Sequence, residues 1–481
     1  MPRIVVRAPR ELEAGFARIR QQLGVPEDFP PEVTAEAVAA QPDPGPDHRL
    51  DARDLPLVTI DPAGSRDLDQ ALALARRGDG YRVSYAIADV AAFVRPGGAI
   101  DTEARARGTT LYCPDKRAPL HPPELSEGRA SLLPGEDRPA LLWTIDLDAA
   151  GLPTSGRLER ALVRSRAALS YPEAQAAISA GRADPGGSLL LLAEIGRLRQ
   201  EREAERGGIS LNLPAQKVER TDDGYELGFE RPLPVEDWNA QISLLAGIVA
   251  GHTMVEARVG VLRTLPPPFP DAIERLRHTA QALGLTWPAA GSYAAFVRSV
   301  DTATPAGNAF VLQAAHTLRG AGYAGFNGTV PEHPTHGAIA SVYAHVTAPL
   351  RRLVDRFGNE ILLALYAGVT PPAWATEALA GLPALMGHAG QRESALERAL
   401  LDYVEAVALA SSVGQTFHGV VVDVDQHRDR AQVQIAEPAV VATVAAHDDG
   451  HAALELAEAV DLKLTAVDPD TRTVTFETLA R

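Results

Sequence analysis

The sequence predicts an α+β protein: a mixed sheet with many helices, preceded by a short helical segment and followed by a small β-barrel. Short strand-like segments alternate with turns from residue 51 onward. Long stretches with helical spacing of apolar residues then dominate up to residue 411, and strand-like alternation returns from residue 414. These changes of pattern predict domains at residues 1–50, 51–411 and 412–481.

Composition favours a globular protein from a reducing compartment. The chain has 481 residues, 46% of them apolar and 22% charged, and its single cysteine, Cys113, excludes an intrachain disulfide. A net charge of −16 argues against a protein coated in basic surface, but it leaves room for a basic channel within an acidic exterior. The start of the chain lacks the apolar core of a signal peptide, and the apolar run 242–251 is too short to cross a bilayer. We therefore expect a soluble, cytoplasmic monomer without a membrane or an obligate protein partner.

The first 50 residues have helical spacing. Residues 10–23 predict one helix, a Gly-Val-Pro break follows, and residues 30–40 predict a second. The pair is either a helix-turn-helix-like unit or a plain helical lead-in. The Pro-rich segment 41–47 has the composition of a linker.

The remaining elements follow from apolar periodicity. Strands are predicted at 55–61, 70–77, 81–90 and 139–153, with Gly-Asp-Gly forming a hairpin turn between the second and third. Helices are predicted at 189–206, 240–258, 350–368 and 392–411. About five strands in the tail are typical of an OB-fold.

The stretch "TIDPAGSRDLDQAL" (59–72) crowds Asp61, Asp67 and Asp69 beside an apolar strand. Carboxylates this close disfavour joint ionisation, and a hard cation such as Mg²⁺ removes that conflict. Two such ions could hold the attacking and leaving oxygens of a phosphodiester. A solvated turn or a calcium site would use the same residue types, so the motif alone leaves these alternatives open.

Three blocks in order resemble the ribonuclease II/RNB family of exoribonucleases. They are "TIDPAGSRDLDQAL", residues 86–141, which include "TTLYCP", and "HGAIASVYAHVTAPLRRLVDRFGNEIL" (336–362). The tail is similar to the RNA-binding OB-fold that ends many members. The resemblance implies an RNB catalytic domain that hydrolyses single-stranded RNA from 3′ to 5′. It would release nucleoside 5′-monophosphates with one or two Mg²⁺ ions, or with Mn²⁺.

The same resemblance implies roles for individual residues. Asp61, Asp67 and Asp69 match three of the four signature aspartates, and Arg351 matches an arginine that holds the scissile phosphate. Glu397 resembles an acidic residue on the rim of the active site. The implied RNA contacts are Tyr112, which would stack the terminal nucleotide, Tyr171, which would help to select RNA over DNA, Thr347 and Arg352. For each residue the alternative is a structural role in the core or on a helix surface.

The chain departs from the family pattern at three points. Gln70 replaces the fourth aspartate; it can offer a carbonyl oxygen to a metal but has no charge. Gln241 falls near a glutamate that contacts the ribose in relatives, which weakens the expected choice of RNA over DNA. Residues 1–50 are too few for the two cold-shock barrels of well-known members, so we expect a more open RNA entrance.

Three hypotheses therefore follow. The first is an active Mg²⁺-dependent 3′–5′ exoribonuclease, and the second is a catalytically silent RNA-binding relative that lost the chemistry at Gln70. The third is a metal phosphoesterase acting on DNA or small nucleotides. His333 and His336 in "HPTH" have no third ligand nearby in sequence, so we expect a structural role for them rather than a zinc site.

Overall fold

The computed structural model describes residues 3–6, 9–43, 49–182, 184, 186–211, 215–221, 224–425, 429–437, 439–446 and 453–479. Most of the predicted linker, residues 44–47, lies outside these ranges. The helices are α1 Pro9–Gln22, α2 Pro31–Ala39, α3 Ala99–Arg107, α4 Tyr171–Ser179, α5 Ser188–Glu205, α6 Pro234–Ala257, α7 Pro270–Ala282, α8 Tyr293–Ser299, α9 Pro305–Ala315, α10 Leu353–Ala367, α11 Ala373–Ala378 and α12 Leu382–Leu409. Short helical turns lie at Val90–Ala92, Leu125–Arg129 and Ala410–Ser412.

The strands form one large sheet, one barrel-like sheet and several small ones. They are β1 Arg3–Val6, β2 Leu50–Asp51, β3 Val58–Asp61, β4 Gln70–Arg77, β5 Gly80–Ala88, β6 Leu111–Tyr112, β7 Arg117–Ala118, β8 Asp137–Leu147, β9 Pro153–Arg164, β10 Ala167–Ser170, β11 Ala215–Thr221, β12 Gly224–Glu230, β13 Val259–Thr264, β14 Gly322–Asn327, β15 Thr335–His336, β16 Ser341–Val342, β17 Thr416–Asp425, β18 Arg430–Ile435, β19 Val440–Ala445, β20 Ala459–Asp468 and β21 Thr473–Thr478. The predicted α+β class and most predicted elements are confirmed.

The seven-stranded sheet has the order β10-β3-β4-β5-β8-β9-β2. Its edge strands β10 and β2 pair in parallel with their neighbours, and the other pairs are antiparallel. β4 and β5 are joined at Gly78, whose φ of 57° suits glycine, as the predicted hairpin requires. The segment that connects the antiparallel strands β3 and β4 contains Asp67 and Asp69. It leads the chain back to the end of β3, where Asp61 lies.

Both faces of this sheet are buried, and the alternation within β4 explains how. Leu72 and Leu74 belong to a core cluster shared with α5 and α6, whereas Ala71 and Ala73 belong to a second cluster shared with Val33 of α2. Successive side chains on a strand point to opposite faces, so the large residues meet long helices and the alanines allow close approach of the N-terminal segment.

Helix α6 runs across the leucine face of the sheet. It spans 24 residues and extends beyond the apolar run 242–251, with polar residues such as Asn239 and Gln241 continuing the helix on the N-terminal side. By length and composition it is the one helix of the described residues able to cross a membrane, contrary to our expectation that no apolar stretch was long enough. Half of its apolar stretch is buried inside the protein, and core helices of soluble proteins meet the same criterion.

The predicted N-terminal helices form, and α1 packs onto β12 and α12. Phe16 makes edge-on ring contacts with Tyr225 of β12 and Tyr403 of α12, at centroid distances of 5.3 Å and 5.9 Å. β1 also pairs with β12, completing a three-stranded sheet with β11 that the sequence did not predict. The N-terminal segment is therefore attached to the described parts of the fold by a helix and a strand.

The tail forms the predicted five-stranded barrel-like sheet, in the order β19-β18-β17-β20-β21. Its interior is apolar, with Val421, Val433, Leu464 and Phe476 at most 4% exposed. The same core cluster includes Leu400 and Val404 of α12, so the barrel is packed against that helix.

Candidate active site

Asp69 and Arg351 form the centre of the candidate site. Asp69 directly precedes β4 and is 2% exposed; its Oδ1 accepts the N–H of Leu350 at 2.7 Å, and its Oδ2 lies 3.5 Å from Arg351 Nε. Burial raises the pKa of Asp69 to about 8, against the opposing effect of Arg351. The Arg351 side chain is 44% exposed, so a buried acid lies beside a cation that an incoming anion can reach.

A tight turn before α10 holds Arg351 in place. The carbonyl of Arg351 accepts hydrogen bonds from Thr109 Oγ1 and Thr110 N, both at 2.9 Å. Because β6 begins at the next residue, this anchoring also fixes Tyr112 beside the arginine.

Asp61 ends β3, as the sequence predicts. Its Oδ2 is buried and makes no hydrogen bond of regular geometry among the described residues, although the neighbouring Thr59 hydroxyl is close enough to lower the pKa of Asp61. Burial raises the pKa of Asp61 to about 6, Asp67 adds to the rise, and Arg351 opposes it. Asp61 and Asp69 are therefore two buried carboxyl groups under the influence of the same guanidinium.

Asp67 has both carboxylate oxygens engaged. Oδ1 forms a short ion pair with Arg117 Nη1, and Oδ2 accepts a hydrogen bond from the Tyr112 hydroxyl at 3.0 Å. Arg117 Nε also lies 3.1 Å from Glu127 Oε1. The sequence reasoning missed Arg117, although its position in "YCPDKR", five residues after Tyr112, places it on the opposite strand of the β6–β7 hairpin. Tyr112 itself is 49% exposed, so its ring is available at the surface of the site.

Gln70, which replaces the fourth signature aspartate, is held by two hydroxyl groups. Its Oε1 accepts hydrogen bonds from the Tyr85 hydroxyl at 2.5 Å and from Ser243 Oγ at 3.2 Å. The Tyr85 hydroxyl and Ser243 Oγ are also 2.7 Å apart, which closes a triangle. Asp69 and Gln70 are consecutive, so their side chains point to opposite sides: Asp69 to Leu350 and Gln70 to α6.

The residues of α6 that reach this site are Asn239 and Ser243, one turn apart. Asn239 Nδ2 donates to the carbonyl of Ile60 at 3.3 Å. Gln241, which falls near the position of a glutamate that contacts the ribose in relatives, points away from this site: its Nε2 donates to Glu203 Oε2 of α5 at 2.5 Å. The spacing of a helix explains the difference, because residues 239 and 243 share a face that residue 241 does not.

Tyr171, at the start of α4, lies near Asp61. Burial raises the pKa of its hydroxyl, and the Asp61 carboxylate adds to that rise. The parallel pairing of β10 with β3 brings it there, since Ser170 is opposite Asp61. Its role in selecting RNA stays a prediction.

The acidic rim on α12 includes a residue that the sequence reasoning missed. Glu393 is one turn before Glu397, and burial and then Glu397 raise the pKa of Glu393, while Arg352 and Arg351 oppose the rise. Both glutamates are exposed. Glu393 is therefore within electrostatic reach of the arginine turn, and Glu397 lies next to it on the helix.

Two further predicted RNA contacts lie in buried surroundings. Thr347 is 4% exposed. Arg352 is paired with the fully buried Asp355, Nε to Oδ2 at 2.9 Å and Nη2 to Oδ1 at 2.8 Å. Asp355 Oδ1 also accepts the N–H of Ala348 at 2.7 Å, so this pair stabilises the turn that carries Arg351.

The carboxylate groups of the candidate site suit one hard divalent ion. Within the described residues, no group of three or more His, Cys, Asp or Glu side chains is arranged to hold a metal ion. Mg²⁺, however, commonly binds through one or two carboxylates, with water and substrate phosphate completing its shell. Asp61, whose Oδ2 is buried, and Asp69 lie at the adjoining ends of the paired strands β3 and β4 and would supply such a pair. The two histidines of "HPTH" lie apart from these carboxylates in the sequence, and the ring of His336 packs against Tyr343 at 6.1 Å.

Comparisons with known proteins relate the chain to two sequence families. The sequence model of the RNB domain matches residues 49–368, and that of the RNase II-type exonuclease C-terminal S1 domain matches residues 415–479. Ribonuclease R of Escherichia coli strain K12 is 28% identical over 434 residues, covering 84% of this chain and 50% of that protein. The chain spans about half the length of this curated relative.

Two solved structures share the fold. Mycoplasma genitalium RNase R in complex with ribose-methylated single-stranded RNA matches with a TM-score of 0.86 at 19% identity, covering 97% of this chain and 78% of that one. Yeast Ssd1, described as a pseudonuclease, matches with a TM-score of 0.70 at 18% identity, covering 90% of this chain and 55% of that one. The fold thus occurs in an RNA-bound ribonuclease and in a pseudonuclease.

Proposed function

This chain belongs to the RNB family, whose domain model matches residues 49–368, and on that basis we propose that it is a 3′–5′ exoribonuclease. It hydrolyses single-stranded RNA processively to nucleoside 5′-monophosphates with the help of Mg²⁺. The observation that carries the proposal is the half-exposed Arg351 beside the buried Asp69 and the buried Oδ2 of Asp61. This arrangement combines a cation for a phosphate with carboxylates for a metal ion.

The chain's own residues have distinct tasks in this proposal. A divalent ion, when bound by Asp61 and Asp69, supplies Lewis acidity toward the phosphodiester and makes water more acidic. Arg351 donates hydrogen bonds to the phosphoryl oxygens and stabilises the charge that grows on them in the transition state. The exposed ring of Tyr112 stacks on the terminal base, while its hydroxyl keeps Asp67 in place.

The test is digestion of 5′-labelled single-stranded RNA with and without Mg²⁺. We expect progressive shortening by the wild type and none by Asp69→Asn. Asp79→Asn, at the exposed turn between β4 and β5, is the matched control and should retain full activity. Full activity in Asp69→Asn would refute the site assignment. A parallel panel with single-stranded DNA and small phosphodiesters examines the phosphoesterase alternative.

A second candidate function is RNA binding without catalysis. The engagement of the Gln70 oxygen by Tyr85 and Ser243 favours it, because the position of the fourth carboxylate then offers neither a charge nor a free acceptor. The likeness to a pseudonuclease shows that this fold is compatible with loss of activity. Wild-type protein that binds RNA but leaves it intact with Mg²⁺ and with Mn²⁺ would favour this function over the first.

A further inference from the structure

The triangle of Gln70, Tyr85 and Ser243 fixes which end of the Gln70 amide faces the site. The two hydroxyl groups carry two protons, and only one proton can lie between the two hydroxyl oxygens, which are 2.7 Å apart. The other proton needs an acceptor, and Gln70 Oε1 lies within 2.5 Å of Tyr85 and 3.2 Å of Ser243. The carbonyl oxygen therefore belongs to the triangle, and the NH₂ group points away from it.

The triangle is built into the core of the fold. Tyr85 is 1% exposed in the centre of β5, where its ring belongs to the core cluster shared with α6. Burial raises the pKa of the Tyr85 hydroxyl, so it stays protonated and serves as a donor. Ser243 is fixed by α6. A metal ion that used Gln70 Oε1 as a ligand would have to displace these bonds within a packed core.

The NH₂ group of Gln70 is suited to donating hydrogen bonds and not to binding a metal ion. Among the described residues it has no hydrogen-bond partner, and it is not one of the completely buried unpartnered atoms. β4 begins at Gln70 and pairs with β3, which ends at Asp61, so Gln70 lies at the same end of the sheet as Asp61 and the preceding Asp69. An amide NH₂ offers two neutral donors, which suit a phosphate oxygen and not a cation.

We propose that Gln70 is a hydrogen-bond donor to the RNA phosphate, positioned by Tyr85 and Ser243, and that the site binds a single divalent ion through Asp61 and Asp69. This inference rests on the proposed function as an RNA-binding, metal-binding site, but it does not require turnover. It replaces the expectation that the glutamine carbonyl substitutes for the fourth carboxylate as a ligand. Tyr85 and Ser243 act through Gln70 and are positioning residues.

The first test counts metal ions. Titration of metal-free protein with Mn²⁺, followed by isothermal calorimetry and by electron paramagnetic resonance of free Mn²⁺, should give one ion per wild-type chain. Gln70→Asp should take up a second ion, and Mn²⁺ should raise its melting temperature more than that of the wild type. If Gln70→Asp does not fold, Tyr85→Phe combined with Ser243→Ala is used instead, because it frees the glutamine oxygen and should likewise admit a second, weaker ion.

The second test measures RNA affinity in EDTA, where neither metal nor turnover contributes. Gln70→Ala should bind a single-stranded RNA about two- to tenfold more weakly than the wild type, the range of one ordinary hydrogen bond. Gln281→Ala on the exposed side of α7 is the control and should bind as the wild type does.

Each outcome decides the matter. Two ions in the wild type, an unchanged count in the folded variant, or undiminished RNA affinity in Gln70→Ala would overturn the inference. A wild type that binds one ion and RNA but does not cleave would leave the inference standing and refute only the proposed exoribonuclease activity.

Discussion

Asp69 Oδ2 lies 3.5 Å from Arg351 Nε, and the neighbouring Leu350 N–H donates to the other oxygen of the same carboxylate at 2.7 Å. Two residues from distant parts of the chain thus share one contact region at the end of the central sheet. This contact joins the aspartate-rich loop to the turn before α10, and the chemistry proposed above depends on it.

Replacing Arg351 tests the cation of this pair. We expect Arg351→Ala to lower the rate of RNA hydrolysis by at least about a hundredfold, because it removes a positioned donor to the charge of the transition state. Single-turnover kinetics at saturating RNA measure the change, and Arg275→Ala, on the exposed side of α7, should leave the rate unaltered. A loss confined to KM would contradict the role in the transition state.

Tyr112 offers a test that separates stacking from hydrogen bonding. Tyr112→Ala should weaken RNA binding by about 1–3 kcal/mol, the usual contribution of one base stacked on an aromatic ring. Tyr112→Phe keeps the ring and loses only the hydrogen bond to Asp67, so its RNA affinity should stay close to that of the wild type. Fluorescence anisotropy with labelled RNA in EDTA gives both values. Equal losses in the two variants would mean that the hydroxyl, and not the ring, contributes the binding.

Local patterns in the sequence predicted the parts of the structure that depend on neighbouring residues. The β4–β5 hairpin follows from the alternation of leucine and alanine and from the Gly-Asp-Gly turn. Pairings between distant segments were not predictable in this way. β1 pairs with β12, and Gln70 is held by Ser243, 173 residues further along the chain. Such contacts depend on tertiary packing, on which a single sequence gives no direct information.

The candidate site shows the same division. Asp61 and Asp69 could be named from their spacing and from the family resemblance. Arg117 and Glu393 were missed because their effect on the site comes from a hairpin register and a helix face. The contact of Gln241 with Glu203 could not be predicted, because matching Gln241 to a family block says nothing of the direction in which its side chain points.

The buried pair of Arg352 and Asp355 predicts a loss of stability on removing one partner. Asp355→Asn should lower the free energy of unfolding by about 3–5 kcal/mol, because it leaves the Arg352 guanidinium buried without its counter-ion. Urea denaturation followed by circular dichroism measures the loss, with Asp271→Asn at the exposed start of α7 as the control. A change below about 1 kcal/mol would show that the pair contributes little to stability.

Glu405 predicts a pH dependence of stability that is independent of the active site. It lies on α12 at 8% exposure, and its Oε1 accepts hydrogen bonds from Gln216 Nε2 of β11 at 2.6 Å and from Val441 N of β19 at 3.4 Å. Burial raises its pKa from 4.5 to about 7, although both hydrogen bonds oppose the rise. Glu405 therefore joins α12 to the barrel, and its burial favours the protonated form of its carboxyl group.

The sign of the effect follows from proton linkage. Because the folded state holds the proton more tightly than the unfolded state, the contribution of Glu405 to stability is full below pH 4.5 and is lost as the pH rises to about 7. Glu405→Gln keeps an acceptor oxygen at this position and does not titrate. The melting temperature of Glu405→Gln minus that of the wild type should therefore be larger at pH 8 than at pH 5. Calorimetry at the two pH values checks this, and an equal difference at both would show that the carboxyl group does not titrate with a raised pKa in the folded protein.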